Sequence, residues 1–189
     1  MIFRSTLGYS GTPSDLVPES MHDNLVNEKG MDGLGGFVTV LSDPKKNGVY
    51  YEKNDWTVEG FLQYVAREKY NALIDTGALI TGFSNEGVIR YMLNNGLRDR
   101  GIKAGVFLDP SDKSMAVTES GGQAIPLAQL GVAESERFTF YDQIHTVGID
   151  IKQSLDARGI ITLGKGMQLR DFAQGAYRMR KIEYGQRIM

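Results

Sequence analysis

The chain predicts an α/β fold: a mainly parallel sheet with helices on both faces. Short apolar runs recur at NALIDTGALI, AGVFLD, RFTFYDQ and RGIITLG, each long enough for a buried strand. Segments with helical spacing lie between or beside them, at SNEGVIRYMLNNG and MQLRDFAQGAYRMRK. Strands that alternate with helices in this way pair in parallel and leave helices on the sheet's faces.

The elements follow in order. Residues 1–36 are turn-rich, with GYSGTPSDLVPES and EKGMDGLGG punctuated by Gly, Ser and Pro. They form a boundary and loop segment, and the domain proper is expected over 37–189. VTVLSDPKKNGVYYEK suggests two short strands around a Pro/Gly turn. WTVEGFLQYVAREK places Val58, Phe61, Leu62 and Val65 on one helical face, with Asp55 or Thr57 as the cap. After the strand NALIDTGALI and its helix come AGVFLD and the weaker strand MAVTES. GQAIPLAQLG suggests a short helix despite Pro126, and IDIKQSLDA another after RFTFYDQ. The helix over 167–181 puts Leu169, Phe172, Ala173 and Ala176 on one side, and GQRIM closes the set as a strand.

With 189 residues, 41% of them apolar and 23% charged, the chain can bury one sizeable core. No apolar run reaches the ~18 residues of a membrane-spanning helix, and MIFRSTLGYSGTP lacks the order of a signal peptide. The absence of cysteine excludes disulfides, thiolate metal sites and thiol nucleophiles. An intracellular, cytoplasmic setting without membrane attachment is the expectation. Two histidines far apart, His22 and His145, argue against a histidine-rich metal site, and no metal ligand is assigned. Net charge is −2, yet from Lys152 onward eight Lys/Arg face three Asp/Glu, so a basic final third sits on an acidic body. Such a region suits phosphates of a nucleotide or a nucleic acid, or simply solvates a helix.

In an open parallel sheet, ligands gather at the C-terminal ends of strands. The segments there are Thr76-Gly77, Asp142-Gln143, His145-Thr146, Gly148-Ile149-Asp150 and Gly164-Lys165-Gly166. Asp142 and His145 also form a candidate acid–base pair, although no nucleophile is placed beside them.

The order of these segments resembles the second, C-terminal RecA-like lobe of superfamily-2 helicases and related ATP-driven translocases. Tyr141-Asp142 through Gly148-Ile149-Asp150 stands where that family has its fifth motif. Gln174, Arg178 and Arg180 stand where it has its sixth, NALIDTGA matches the fourth-motif region, and Gly8 to Pro13 look like the third motif closing the preceding lobe. Arg180 follows Arg178 by two positions where the family has three, and the step from Asp142 to Asp150 is about one residue longer than usual, which marks a divergent branch. The resemblance implies that Arg178, with Arg180 second, and Gln174 serve catalysis, since Arg suits the charge developing on a transferred phosphoryl group. Gln174 and Arg178 share a helical face, whereas Arg178 and Arg180 do not. It also implies that Gly148 and Asp150 contact the nucleotide, and that Thr146 and Gly77 touch a nucleic-acid backbone. Asp150 equally suits capping a helix that begins at Ile151.

No Gly-x-x-x-x-Gly-Lys-Ser/Thr string is present, and no Asp-Glu-x-Asp/His string for magnesium. ATP with Mg2+ is therefore expected only together with an N-terminal RecA-like lobe, the partner this lobe would need, and the chain alone should not hydrolyse ATP. The wording of IDTGALITG, FTFYDQIHTVGIDIKQ and RDFAQGAYRMR is also similar to uncharacterised domains of very large, mostly eukaryotic proteins, some labelled ubiquitin-directed hydrolases. Without cysteine, this segment cannot itself supply thiol-protease chemistry.

Two alternatives stand beside this one. A degenerate lobe would act as a scaffold or interaction domain within a giant protein. Asp75-Thr76-Gly77 also resembles the catalytic loop of retroviral-type aspartic proteases, in which two such loops share a proton across a homodimer. That family is almost wholly β, and the helices expected here do not suit it.

Overall fold

The computed structural model describes residues 56–118, 121–146 and 150–189. The expected boundary segment 1–36, the strand pair over 38–53 and Gly148 lie outside the described residues.

The first described element, helix α1 (Val58–Arg67), begins where the Thr57 hydroxyl accepts a hydrogen bond from the Gly60 N–H at 3.1 Å. Its Leu62 and Val65 are buried, as the spacing predicted. Strand β1 (Ala72–Ile74) follows, then helix α2 (Asn85–Met92), capped by Ser84, whose side chain accepts from Gly87 N–H. Beyond α2 the chain coils on irregularly through Leu97, with Gly96 at φ 145°. Strands β2 (Ala104–Leu108), β3 (Ser114–Thr118), β4 (Gly121–Pro126), β5 (Arg137–Tyr141) and β6 (Arg158–Ile161) come next. Helix α3 (Leu169–Ala176) and strand β7 (Arg187–Ile188) complete the described chain.

These strands form one seven-stranded sheet in the order β4-β3-β2-β5-β1-β6-β7. β2, β5, β1, β6 and β7 run parallel, and β3 and β4 add an antiparallel edge. The α/β class expected from the sequence is present. Side chains alternate between the faces, as the pleat requires. Leu73, Phe107, Phe138, Phe140 and Ile160 pack with Leu62, Val65, Val88, Ile89 and Met92 of α1 and α2. On the opposite face Ala72, Ile74, Val106, Tyr141 and Ile161 pack with Ala176, Met179 and Ile182. Gly105 lets α2 approach β2: a Cβ there would lie 2.2 Å from Ile89 Cγ2.

Three local expectations are corrected. The first half of GQAIPLAQLG is strand β4, and its helical part is only the single turn Leu127–Gln129. Pro126 sits at the end of this edge strand, where its missing N–H costs no ladder bond. IDIKQSLDA forms no helix over its described residues. Instead Gln153 Nε2 donates to Thr139 Oγ1 at 2.7 Å, and Ile151 is buried, so the segment is held extended against β5. The last helix ends at Ala176, because the chain turns through Tyr177 to Lys181 rather than continuing over the expected length.

Candidate functional site

β1 and β6 are parallel neighbours, but the chain leaves them toward opposite faces: α2 follows β1 on one side and α3 follows β6 on the other. Where connections diverge like this, a crevice opens at the carboxyl ends of the strands. Here it has a volume of about 400 Å³ and is lined by Thr76, Gly77, Gln143, Gly164, Lys165, Gly166, Met167, Asp171 and Gln174.

Its floor is backbone against backbone. A Cβ at Gly77 would lie 2.7 Å from Gly164 N, and one at Gly164 would lie 2.9 Å from Gly77 O, so only glycine fits at either position. Thr162 ties the same two loops together. Its hydroxyl donates to Asp75 Oδ1 at 2.6 Å and accepts from Gly77 N–H at 3.0 Å. The Asp75 carboxylate also accepts from the N–H groups of Leu79 and Ile80, both at 2.9 Å. Asp75 is 2% exposed, and these bonds to its own loop make it the cap of the turn after β1.

Gln174, from α3, lines the crevice, and so does Gly77. Arg178 and Arg180 do not line it. They converge on Asp150: Arg178 Nη1 lies 3.5 Å from Asp150 Oδ1, and Arg180 Nε and Nη2 each lie 2.7 Å from it. Placing the two arginines on different helical faces presumed a helix through both; the chain has already left α3 at Ala176, and both guanidiniums reach one carboxylate. Asp150 begins no helix, so its alternative role as a cap falls away. It is held by its neighbour, since Ile151 N–H donates to the Tyr141 hydroxyl at 3.3 Å.

Arg178 is buried, whereas Arg180 and Asp150 are exposed. Burial lowers the Arg178 pKa from its ordinary value, the nearby Arg180 charge lowers it further, and Asp150 works against both. Arginine remains charged under such shifts, so two cations meet one anion, and the three groups carry a net charge of +1.

Asp142 and His145 do meet. His145 Nδ1 is bonded to Asp142 Oδ1, and Nε2 lies 3.0 Å from Asp112 Oδ1 in the turn between β2 and β3. With both ring nitrogens facing carboxylates and the imidazole buried, neither nitrogen is left for a substrate. The pair joins two loops and lacks the opening that acid–base chemistry needs. Thr146 closes the short turn Ile144–Thr146. Among the described residues, no group of three His, Cys, Asp or Glu is arranged to hold a metal ion. No helix there is long and apolar enough to cross a membrane.

Several lining residues were visible beforehand as strand-end segments, Gly164-Lys165-Gly166 among them. Met167 and Asp171 were not, and neither was Thr162, which lies outside the lining and ties its loops together. Asp171 did carry a local signal, because its carboxylate accepts from the Gln168 N–H three residues earlier, where α3 starts.

Fold and site together define an open, doubly wound α/β domain with a polar crevice at its switch point and a basic arginine cluster. No family model matches the chain, and neither the curated proteins nor the solved structures contain a match.

Proposed function

We propose that the chain is the C-terminal lobe of a helicase-like NTPase, which offers Arg178 and Arg180 to the phosphates of a nucleotide held by an N-terminal RecA-like lobe. The convergence of these two arginines on the single carboxylate of Asp150 carries this proposal. An anion brought to the cluster would meet its excess positive charge, and arginine's forked donors match phosphate oxygens. Asp150 holds the guanidiniums in place beforehand, which lowers the cost of ordering them when the phosphate arrives. ATP with Mg2+ would be bound chiefly by the other lobe. The parallel sheet with helices on both faces is the architecture such a lobe requires.

The test is Arg178→Ala and Arg180→Ala in a protein that joins this lobe to its partner. ATPase turnover should fall by a factor of about 10³ or more for the arginine that acts as the finger. Unchanged turnover in both variants would overturn the proposal.

A scaffold role is favoured by one observation of its own: Arg178 is 6% exposed and already engaged with Asp150, as a purely structural ion pair would be. Under that role the same variants lower stability and leave turnover alone. The aspartic-protease alternative gains no support. The sheet is mainly parallel, and the Asp75 carboxylate is buried and bonded to its own loop rather than open to a second carboxylate.

A further inference from the structure

β6 and β7 each begin with an arginine, and the two stand in register as parallel neighbours. Adjacent strands lie ~4.8 Å apart, so Arg158 and Arg187 leave the sheet side by side. They also leave it on the same face. A Cβ on the following residue, Gly159, would lie 3.1 Å from Met179 Sδ, and Ile188 packs in the same core as Met179. By the alternation of the pleat the arginines point the other way, and the Arg158 guanidinium lies 5.8 Å from the centre of the Tyr70 ring.

Like charges opposite each other on neighbouring strands repel. Among the described residues, no carboxylate lies within ion-pair distance of either guanidinium. An anion placed between the two replaces that repulsion with attraction, and the forked donors of arginine match phosphate oxygens.

An exposed aromatic ring stands close by along the chain. Tyr184, three residues before Arg187, is 71% exposed. The turn that carries it is fixed from within. Gln186 is buried, accepts from Lys181 N–H at 2.7 Å and donates to Ser154 O at 2.9 Å. Gly185, at φ 130°, packs backbone on backbone, since a Cβ there would lie 2.8 Å from Leu155 O. Lys181 Nζ lies 5.2 Å from the centre of the Tyr184 ring and adds a cation to the same turn. Exposed rings on a rigid support among cations are what unpaired bases stack on. The stretch from Lys152 onward, with eight Lys/Arg against three Asp/Glu, surrounds this surface with a field that favours a polyanion.

We propose that the amino-terminal end of β6 and β7 binds single-stranded nucleic acid. Arg158 and Arg187 hold a phosphate, Lys181 adds charge along the backbone, and Tyr184 stacks on a base. An acidic peptide offers carboxylates to the arginines but no base to the tyrosine. The surface lies at the opposite end of the strands from the crevice floor at Gly77, and it does not rest on the NTPase reading.

The test measures fluorescence anisotropy of the full chain with labelled oligothymidylate and oligouridylate of equal length, over a series of salt concentrations. Binding that weakens steeply with salt is expected. Arg187→Ala should weaken it several-fold and lower the salt slope by about one, as loss of one phosphate contact does. Tyr184→Ala should weaken it about tenfold and leave the slope unchanged, as loss of one base stack does. Lys113→Ala, in the turn between β2 and β3, should change neither. Equal affinity for the two strands assigns the site to the shared phosphate and base chemistry, and tighter binding of one names the strand it prefers. Polyglutamate is the competitor: displacement of the strand at matched ionic strength, with Tyr184→Ala binding as the parent does, would assign the surface to acidic peptides and overturn the proposal. Absence of salt-sensitive binding, or equal affinity in the parent, Arg187→Ala and Tyr184→Ala, would overturn it as well.

Discussion

Thr162 donates its hydroxyl to Asp75 across 87 positions of sequence, and that one bond at 2.6 Å holds together the loops that close β1 and β6. The same oxygen accepts from Gly77 N–H, so a single threonine serves two partners at the base of the crevice. Thr162→Val should leave one N–H and one carboxylate oxygen short of a bond. A loss of about 1–3 kcal/mol in urea unfolding is expected, and a change within error would show that water replaces the hydroxyl.

Gly175 sets how closely α3 lies on the strand ends. A Cβ there would fall 2.3 Å from Thr76 Oγ1 and 3.0 Å from Ile161 Cδ1. Gly175→Ala should therefore destabilise by about 1–3 kcal/mol through overpacking. Adding Thr76→Ala removes the nearest atom, so the double variant should recover part of the loss. A double-mutant cycle measures this, and strictly additive effects would contradict the contact.

Asp150 and its arginines should respond unequally to substitution. Arg180 is exposed, and Arg180→Ala is expected to cost less than about 1 kcal/mol, as exposed ion pairs do. Asp150→Ala leaves the buried Arg178 beside a second cation, so its effect should be larger. Thermal melts of the two variants, made at equal ionic strength, rank them directly.

Asp109 organises the turn between β2 and β3, accepting from the N–H groups of Lys113 at 2.9 Å and Ser111 at 2.8 Å. The bond from Lys113 is the main cause that holds its carboxyl below the usual range; desolvation opposes it, and the bond from Ser111 adds to the lowering. A depressed carboxylate contributes stability that is present above its unfolded-state pKa and lost as pH falls through the folded one. Asp109→Asn should thus be less stable than the parent at neutral pH, and the two should converge below the ordinary carboxylate range. Denaturation midpoints measured from pH 7 downward test this; a gap that widens on acidification would contradict the sign.

His145 bridges that same turn to the loop after β5, through Asp112 on one side and Asp142 on the other. His145→Ala should release the turn without unfolding the sheet. Hydrogen exchange would then quicken at residues 109–113 and 142–145, while β1 and β5 stay protected.

Much of this molecule was legible in one dimension. Apolar runs such as NALI and AGVFL declare strands because a buried parallel strand is apolar on both faces, and Leu73 and Ile74 do face opposite sides. Thr57 declares a helix start because a side-chain oxygen beside a helical pattern satisfies an N–H that the helix cannot. Strand-end glycines marked where the crevice would lie, since its walls are the loops after β1 and β6.

Only the tertiary structure decided the rest. The antiparallel pairing of β3 with β2 depends on the turn at Asp109, and no periodicity distinguishes the β3–β4 edge from a parallel strand or from the helix expected at Pro126. The end of α3 at Ala176 is set by how the chain must turn to bring Met179 and Ile182 into the core beneath it, not by helix propensity. That turn lets Arg178 and Arg180, separated from Asp150 by 28 and 30 positions, meet on its carboxylate. Hydrophobic period is a property of neighbours along the chain and survives in sequence. Which distant carboxylate, hydroxyl or glycine lies opposite is a property of packing, and it exists only once the sheet has closed.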